Sequence, residues 1–168
     1  MEYYDTIAPG YDELYREEQE KKHRLIKRYL DIRENDRLLD VGCGTGLSSE
    51  IFRCRLFGVE PSKDMLTRAK KKHEDAVFLQ AKAECLPFKD NAFEIVISVT
   101  AIHNFEDPKR ALIELKRVGR GKGSITILKK AKCAQELKAI IEITFEIEKV
   151  LEEEKDIILF YGIGPSKK

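Results

Sequence analysis

The spacing of apolar and charged residues predicts a chain in which helices and strands alternate. Apolar residues recur every three or four positions among the charges of residues 17–33, which predicts a surface helix. The nearly uninterrupted apolar run Phe93–Val99 is typical of a strand that helices cover on both faces, as in a parallel sheet. Shorter apolar runs predict five more strands, at Arg37–Val41, Leu56–Glu60, Val77–Gln80, Ser124–Leu128 and Ile157–Ile163.

Capping residues mark helices between these strands. Ser62 precedes a helix that closes with three lysines, and Asp107 followed by Pro108 begins another. Two further helices are predicted, over Thr45–Cys54 and Gln135–Glu154. Strands joined by such helices indicate an α/β fold, a doubly wound, Rossmann-like three-layer α/β/α sandwich with a mostly parallel sheet. We expect a shortened C-terminal part, because the pattern shows only one strand after the last helix.

Length and charge favour one enzyme domain over residues 1–168. With 31 basic and 30 acidic residues, a net charge of +1, the overall charge gives no argument for a nucleic-acid partner. The four cysteines lack the paired spacing of a zinc site, so we expect reduced thiols and no metal. The N-terminal residues are polar and no apolar run reaches the length of a membrane span, so we expect a soluble, cytoplasmic protein.

The segment Leu38–Gly46 carries the most specific chemistry in the sequence. An apolar run ends in Asp40, and alternating glycines then remove side chains where the backbone turns sharply and a ligand can approach it. The acid repels phosphate and favours a cationic ligand. The next strand ends in Glu60, where a carboxylate can accept both hydroxyls of a ribose. A dinucleotide-binding loop requires G-x-G-x-x-G instead, and Leu47 occupies the place of its third glycine.

The pattern D-x-G-x-G-x-G of Asp40–Gly46 resembles motif I of the class I S-adenosylmethionine-dependent methyltransferases. Three more segments resemble this family in the same order along the chain. Tyr4–Asp12 is similar to a Y-D-x-x-A-x-x-Y-D lead-in that folds over the cofactor, which makes residues 1–16 a lid. Ala81–Phe88 looks like the adenine-contacting segment G-D-A-E-x-L-P-F, and Ser98–Phe105 resembles the loop after the fourth strand.

This resemblance implies S-adenosylmethionine as the cofactor and assigns roles to individual residues. Asp40 orients the methionine amino end, Glu60 holds the ribose and Tyr11 covers the carboxylate end. Lys82 stands where the family has an acid that accepts from the adenine amino group, which leaves Glu84 or a backbone carbonyl for that hydrogen bond. The implied cofactor-binding residues are Tyr11, Asp40, Gly42, Cys43, Gly44, Gly46, Glu60, Pro61, Met65, Ala83, Glu84, Ser98 and Ile102.

His103 is the one histidine that the resemblance brings to this site. It is the candidate catalytic base, and its alternative is a loop histidine without a chemical role. His103, Asn104 and Lys129 are the implied contacts of the methyl acceptor. His23 and His73 lie on charged helical stretches, which predicts solvated surface positions for both.

The expected reaction is direct in-line displacement, because a sulfonium methyl group is already electrophilic. The acceptor is RNA or a small molecule, and the N-P-P-Y signature of adenine-N6 methyltransferases is absent after the fourth strand. An open crevice leaves room for a small activating protein subunit. The alternatives are a non-catalytic or partner-activated S-adenosylmethionine-binding subunit, and a nicotinamide-dependent oxidoreductase.

Overall fold

The structure is a computed structural model that describes the backbone of residues 2–163 and the side chains of residues 16–163. Tyr11 and most of the lid predicted for residues 1–16 lie outside the described side chains.

Helices and strands alternate along the described backbone, as the sequence predicts. The α-helices are α1 (Glu2–Tyr29), α2 (Ser48–Ile51), α3 (Lys63–Lys72), α4 (Pro108–Val118) and α5 (Ala134–Thr144). The strands are β1 (Arg37–Val41), β2 (Arg55–Val59), β3 (Val77–Leu79), β4 (Phe93–Ser98), β5 (Gly119–Leu128), β6 (Glu146–Glu152) and β7 (Asp156–Gly162). No helix in this part of the chain is long and apolar enough to cross a membrane.

The seven strands of the described chain form one sheet in the order β3-β2-β1-β4-β5-β7-β6. Strands β1 to β5 pair in parallel, and β7 is antiparallel to both β5 and β6. The predicted α/β fold with a mostly parallel sheet is therefore confirmed. Strand order reverses between β1 and β4, and ligands of such folds bind beyond the carboxyl ends of the strands at this reversal.

Two hydrophobic cores lie on opposite faces of the sheet, which gives the predicted three layers. Leu38 of β1 packs into the core that contains Ile26 of α1 and residues of α2 and α3. Leu39, the next residue, enters the other core with Leu112 of α4 and residues of α5. Neighbouring residues of a strand point to opposite faces, so a strand that is buried on both faces has to be apolar throughout.

The predicted helix caps are present at α3 and α4. Ser62 Oγ accepts a hydrogen bond from the backbone N–H of Met65 at 3.4 Å. Asp107 accepts from the backbone N–H of Arg110 at 3.0 Å, immediately before a proline at the first helical position. Such caps satisfy N–H groups that have no partner inside the helix, which fixes where the two helices begin.

The C-terminal part contains two strands where the sequence pattern predicts one. The helix predicted over Gln135–Glu154 stops with α5, and its second half is the edge strand β6. Phe145 takes an extended conformation at φ −122° and ψ 155°, and its ring stacks on Tyr161 of β7 with centroids 4.0 Å apart. The helix ends at this point because the extended backbone of Phe145 allows the aromatic pair to be buried. The predicted long helix is therefore wrong in its second half.

Three other predicted boundaries are corrected. Helix α1 begins at Glu2 rather than near Glu17. The helix predicted over Thr45–Cys54 is limited to the four residues of α2, because the glycine turns occupy the start of that segment. Strand β5 begins at Gly119, before the predicted start at Ser124. Its glycines allow close pairing with β4, since an added Cβ at position 123 would lie 2.0 Å from a β4 carbonyl oxygen.

Candidate functional site

The loop between β1 and α2 turns on three glycines with positive φ. Gly42, Gly44 and Gly46 have φ values of 78°, 54° and 83°, a region that costs residues with a side chain about 1 kcal/mol or more. The backbone N–H groups of Gly42 and Cys43 donate to the carbonyl of Val59 at 2.9 and 3.0 Å. These bonds hold the loop across the end of β2.

Asp40 lies at the carboxyl end of β1, beneath the glycine loop. Its side chain is buried, and its Oδ1 atom has no hydrogen-bond partner among the described residues. Burial raises the pKa of Asp40 to about 7, the Glu60 carboxylate raises it further, and the nearby Ser48 hydroxyl offsets part of the rise. A buried carboxylate oxygen without a partner is costly, so this site is suited to a ligand that donates hydrogen bonds or carries positive charge.

Glu60 connects the glycine loop to the start of α3. One oxygen of its buried carboxylate accepts from Gly44 N at 3.0 Å, and the other accepts from Ser62 N at 2.9 Å. Each carboxylate oxygen can accept a second hydrogen bond. Glu60 can therefore accept from a ribose hydroxyl while it keeps both backbone contacts.

Helix α1 supplies a wall that the sequence motifs do not indicate. Arg16, Gln19 and His23 line a cavity of about 40 Å³ together with Asp40 and the glycine loop. Arg16 forms an ion pair with Glu50 across this cavity. Ligand pockets usually measure roughly 300–1,000 Å³. A ligand the size of a nucleoside therefore has to displace the side chains of the Arg16–Glu50 ion pair.

The prediction of solvated positions for His23 and His73 is wrong. His23 is 4% exposed, and its Nδ1 lies 2.7 Å from the carbonyl of Gln19. Burial lowers the pKa of His23 to about 4, which keeps the ring neutral near pH 7. The side chain of His73 is 11% exposed and packs near Gly46. His23 precedes the buried Ile26 and Leu30 at helical spacing, a signal that could have placed it inward.

A second crevice lies on the other side of Gly42. Four of the residues implied for the cofactor line it: Gly42, Pro61, Ala83 and Glu84. Asn104, implied for the acceptor, also lines it, together with Lys82, Phe105 and Glu106. Lys82 and Glu106 form an ion pair at 2.7 Å. Because Gly42 lines both crevices, one elongated ligand can extend across the glycine loop from Asp40 to Pro61.

Thr100, directly beyond β4, has a strained backbone. Its φ is 56°, which a β-branched residue rarely adopts and which costs about 1–3 kcal/mol. Thr126 Oγ1 accepts from Thr100 N at 2.5 Å, and the buried ammonium of Lys22 donates to Thr100 Oγ1 at 3.1 Å. Lys22 also pairs with Glu18 and with buried Asp156, each at 2.9 Å. These contacts fix the loop that follows β4.

His103 lies in the short 3₁₀ helix Ile102–Asn104 of this loop. Its Nδ1 atom is buried and has no hydrogen-bond partner among the described residues. Burial lowers the pKa of His103, and the charges of Lys22 and Lys130 lower it further. The ring is therefore neutral near pH 7, which is the form that can accept a proton.

Several residues implied by the resemblance line neither crevice. Met65 and Ile102 are buried in the protein interior, and Ser98 Oγ donates to the carbonyl of Val41 at 3.0 Å. Gly46 packs towards His73 and β3. Lys129 pairs with Glu152 at 3.2 Å. The first four are buried and support the site from behind, whereas Lys129 is exposed at the surface.

The residues present fit S-adenosylmethionine. The Asp40 oxygen that has no partner among the described residues suits a cationic amino-acid end, and the Glu60 carboxylate, which accepts from Gly44 N, can also accept from a ribose. Gly42 lets the glycine loop pack against the loop after β4, since a Cβ there would lie 2.5 Å from the Cβ of Ala101. Pro61 and Ala83 offer apolar surface for a base in the second crevice.

The family profile described as a methyltransferase domain matches residues 39–127, from β1 to β5. The chain belongs to this family, the class I S-adenosylmethionine-dependent methyltransferases. The match includes the glycine loop, the second crevice and the loop after β4, but not the α1 wall of the first cavity. S-adenosylmethionine is accordingly the cofactor that the family implies.

Curated relatives share this region. An uncharacterized protein of Methanocaldococcus jannaschii is 38% identical over 125 residues, 73% of this chain and 48% of the relative. The demethylmenaquinone methyltransferase of Renibacterium salmoninarum is 31% identical over 131 residues, 74% of this chain and 55% of that protein. The chain thus spans about half the length of these relatives.

Solved structures share the fold at low sequence identity. A methyltransferase from Aquifex aeolicus has a TM-score of 0.81 and 19% identity, covering 95% of this chain and 98% of that one. A chain from the complex between the Haloferax volcanii Trm112 methyltransferase activator and a methyltransferase has a TM-score of 0.82 and 15% identity, covering 96% and 98%. Both likenesses show that the seven-stranded architecture is that of a methyltransferase domain.

Proposed function

We propose that this chain transfers a methyl group from S-adenosylmethionine to an acceptor by direct in-line displacement. The observation that carries the proposal is the buried oxygen of Asp40 that has no hydrogen-bond partner within residues 16–163. It lies beneath a loop of positive-φ glycines in the region that matches the family. When bound, the cofactor supplies an electrophilic methyl group on a cationic sulfur. The protein then has to hold a nucleophile in line with that group and exclude water.

The cofactor contacts follow from the two crevices and from Glu60, which lines neither of them but holds the glycine loop. Asp40 orients the amino group of the methionine part, and Glu60 accepts from the ribose. Pro61 and Ala83 enclose the adenine. Met65, Ser98 and Ile102 hold the strand ends and the following loops in place from the interior. Tyr11 and the lid remain part of the proposal as the cover of the methionine end.

His103 is the proposed base. Its ring is neutral, and its Nδ1 has no hydrogen-bond partner in the described part of the chain, so it can take the proton that an amine or hydroxyl acceptor loses as it is methylated. Asn104 lies beside it at the edge of the second crevice. Replacing His103 by Ala should leave the affinity for S-adenosylhomocysteine unchanged and slow methyl transfer by about 10²-fold or more. Unaltered transfer in this variant would exclude the base role.

A small molecule is the favoured acceptor. Among the relatives, the demethylmenaquinone methyltransferases and the malonyl-[acyl-carrier protein] O-methyltransferase of Hamiltonella defensa are named for such acceptors or carrier-bound ones. The net charge of +1 adds no argument for RNA. Lys129, proposed to contact the acceptor, is already paired with Glu152, so it offers a weaker basic surface than its sequence suggests.

The deciding experiment is transfer of a radiolabelled methyl group into a cell extract that is then separated into small-molecule, RNA and protein fractions. Label in the small-molecule fraction would support a small molecule as the acceptor. Label in the RNA fraction would instead identify RNA as the acceptor. The chain from the Trm112 complex shares the fold, which supports testing with and without a small activating subunit. Saturable S-adenosylhomocysteine binding without transfer under both conditions would favour a non-catalytic, cofactor-binding subunit. Binding of NAD(H) instead would favour an oxidoreductase.

A further inference from the structure

The second crevice carries an ion pair that the family motif does not explain. Lys82 Nζ donates to Glu106 Oε1 at 2.7 Å, and both residues line the crevice next to Pro61 and Ala83. Their side chains are 46% and 69% exposed, so both charged ends can meet a ligand without a change in the fold. Lys82 stands where the family has an acid, which leaves the adenine amino group without its usual acceptor.

Glu84, the other carboxylate that lines this crevice, already has a structural role. Its Oε1 accepts from the backbone N–H of Asp107 at 3.1 Å, and its carbonyl accepts from Arg110 Nε at 3.1 Å. These contacts hold the start of α4. Glu106 is paired only through the flexible side chain of Lys82 among the hydrogen bonds of the described residues, so its carboxylate can be shared with a ligand.

We propose that the Lys82–Glu106 pair recognises the N1/N6 edge of the adenine of S-adenosylmethionine. Glu106 accepts a hydrogen bond from the 6-amino group, and Lys82 donates one to N1. This inference rests on the proposed function, because it requires the nucleoside to occupy the second crevice. It assigns the acidic partner of the adenine amino group to Glu106, in the segment between β4 and α4, instead of to position 82.

The chemical match is one of donor and acceptor order. Adenine presents a donor at position 6 and an acceptor at position 1, and the ion pair presents an acceptor beside a donor. A base with a 6-oxo group presents the reverse order. Hydrogen bonds to charged groups are the stronger ones, whereas an exposed ion pair contributes little to folding. The pair therefore affects ligand choice much more than stability.

The test is calorimetric binding of two ligands to matched variants. The ligands are S-adenosylhomocysteine and its 6-deamino analogue, which has a purine in place of adenine. Glu106→Ala should weaken S-adenosylhomocysteine binding about tenfold and leave binding of the analogue unchanged. The control is Glu142→Ala, which removes the exposed partner of Lys138 on α5 and should change neither affinity. Lys82→Ala should weaken S-adenosylhomocysteine binding but not that of a 1-deaza analogue.

Three outcomes separate the alternatives. A loss that is equal for both ligands in Glu106→Ala, or no loss for S-adenosylhomocysteine, would overturn the role of the ion pair while leaving the proposed function intact. Thermal denaturation of the same variant should show an unchanged midpoint, so misfolding cannot produce the selective loss. Failure of the unaltered chain to bind S-adenosylhomocysteine at all would overturn the proposed function and this inference together.

Discussion

The raised pKa of Asp40 predicts that cofactor affinity depends on pH. The carboxyl group is buried beneath the glycine loop, and one of its oxygens has no partner among the side chains and backbone that the structure describes. Its pKa is raised to about 7 by burial first and then by Glu60. Below that pH it is mostly protonated and cannot attract the ammonium group of the methionine part. Above it, the buried carboxylate is destabilised until a cation neutralises it.

The size of the effect follows from the ionised fraction. With a pKa of about 7, Asp40 is roughly one-tenth ionised at pH 6 and roughly three-quarters ionised at pH 7.5. If binding requires the carboxylate, affinity for S-adenosylhomocysteine should rise about eightfold over this interval. Two neighbours, His23 and the Cys43 thiol, do not change charge in this interval, because the pKa of His23 is about 4 and the pKa of the Cys43 thiol is raised well above its usual value.

Calorimetric titration at pH 6.0, 6.5, 7.0 and 7.5 measures this slope. Asp40→Asn should bind more weakly at pH 7.5 and show no dependence on pH. An analogue of S-adenosylhomocysteine that lacks the amino group is the matched ligand control, and it should give a flat profile with the unaltered chain. An equal slope in Asp40→Asn, or a flat profile in the unaltered chain, would refute the proposed role of this carboxylate.

Three further predictions concern the surroundings of the site. Gly42→Ala should weaken S-adenosylhomocysteine binding at least tenfold, because Gly42 has a φ of 78° and an added Cβ would overlap the loop after β4. In the control Gly162→Ala, the added Cβ meets only the flexible side chain of Glu148, so this variant should bind normally. Lys22→Met should lower the free energy of unfolding by about 3–5 kcal/mol, because it leaves the buried Asp156 without its cation. In urea titrations, adding Asp156→Asn should recover part of that loss. Full stability of the single variant would contradict this. The folded-state pKa of His23 is lowered to about 4, so the free energy of unfolding should fall as pH decreases from about 6.5 towards 4, by about 2 kcal/mol between pH 7 and pH 5. His23→Gln should remove this part of the pH dependence. An unchanged slope in the variant would contradict the assignment to His23.

The sequence alone correctly predicts those elements that are determined by interactions between neighbouring residues. Ser62 and Asp107 mark the starts of α3 and α4 correctly, because a helix cap needs only a side-chain acceptor and an adjacent backbone donor. The apolar run of β4 identifies a doubly covered strand for a similar reason. By contrast, β6 lies at the sheet edge and exposes most of its residues, so its apolar positions fit helical spacing equally well. Pairing with β7 decides the matter, and the connecting residues 153–155 contain no glycine, proline or asparagine that would predict a hairpin.

The same distinction applies to the candidate site. The glycine loop and its two acids can be read from spacing, because one short segment contains the turns and the strand ends. The ion pair of Lys82 with Glu106 joins residues 24 positions apart, and no local pattern indicates it. The strained backbone of Thr100 is likewise set by contacts with Thr126 and Lys22 from other elements. Tertiary contacts therefore determine these details of the site.

The most direct test of the account is equilibrium binding of S-adenosylhomocysteine to the folded chain, measured by calorimetry at pH 7.5 with and without a small activating subunit. The account predicts one saturable site per chain, and it predicts that Gly44→Val, which places a branched side chain on the positive-φ loop, abolishes binding without unfolding the protein. Absence of saturable binding by the unaltered chain under both conditions, or equal binding by Gly44→Val, would contradict the assignment of this crevice as the cofactor site.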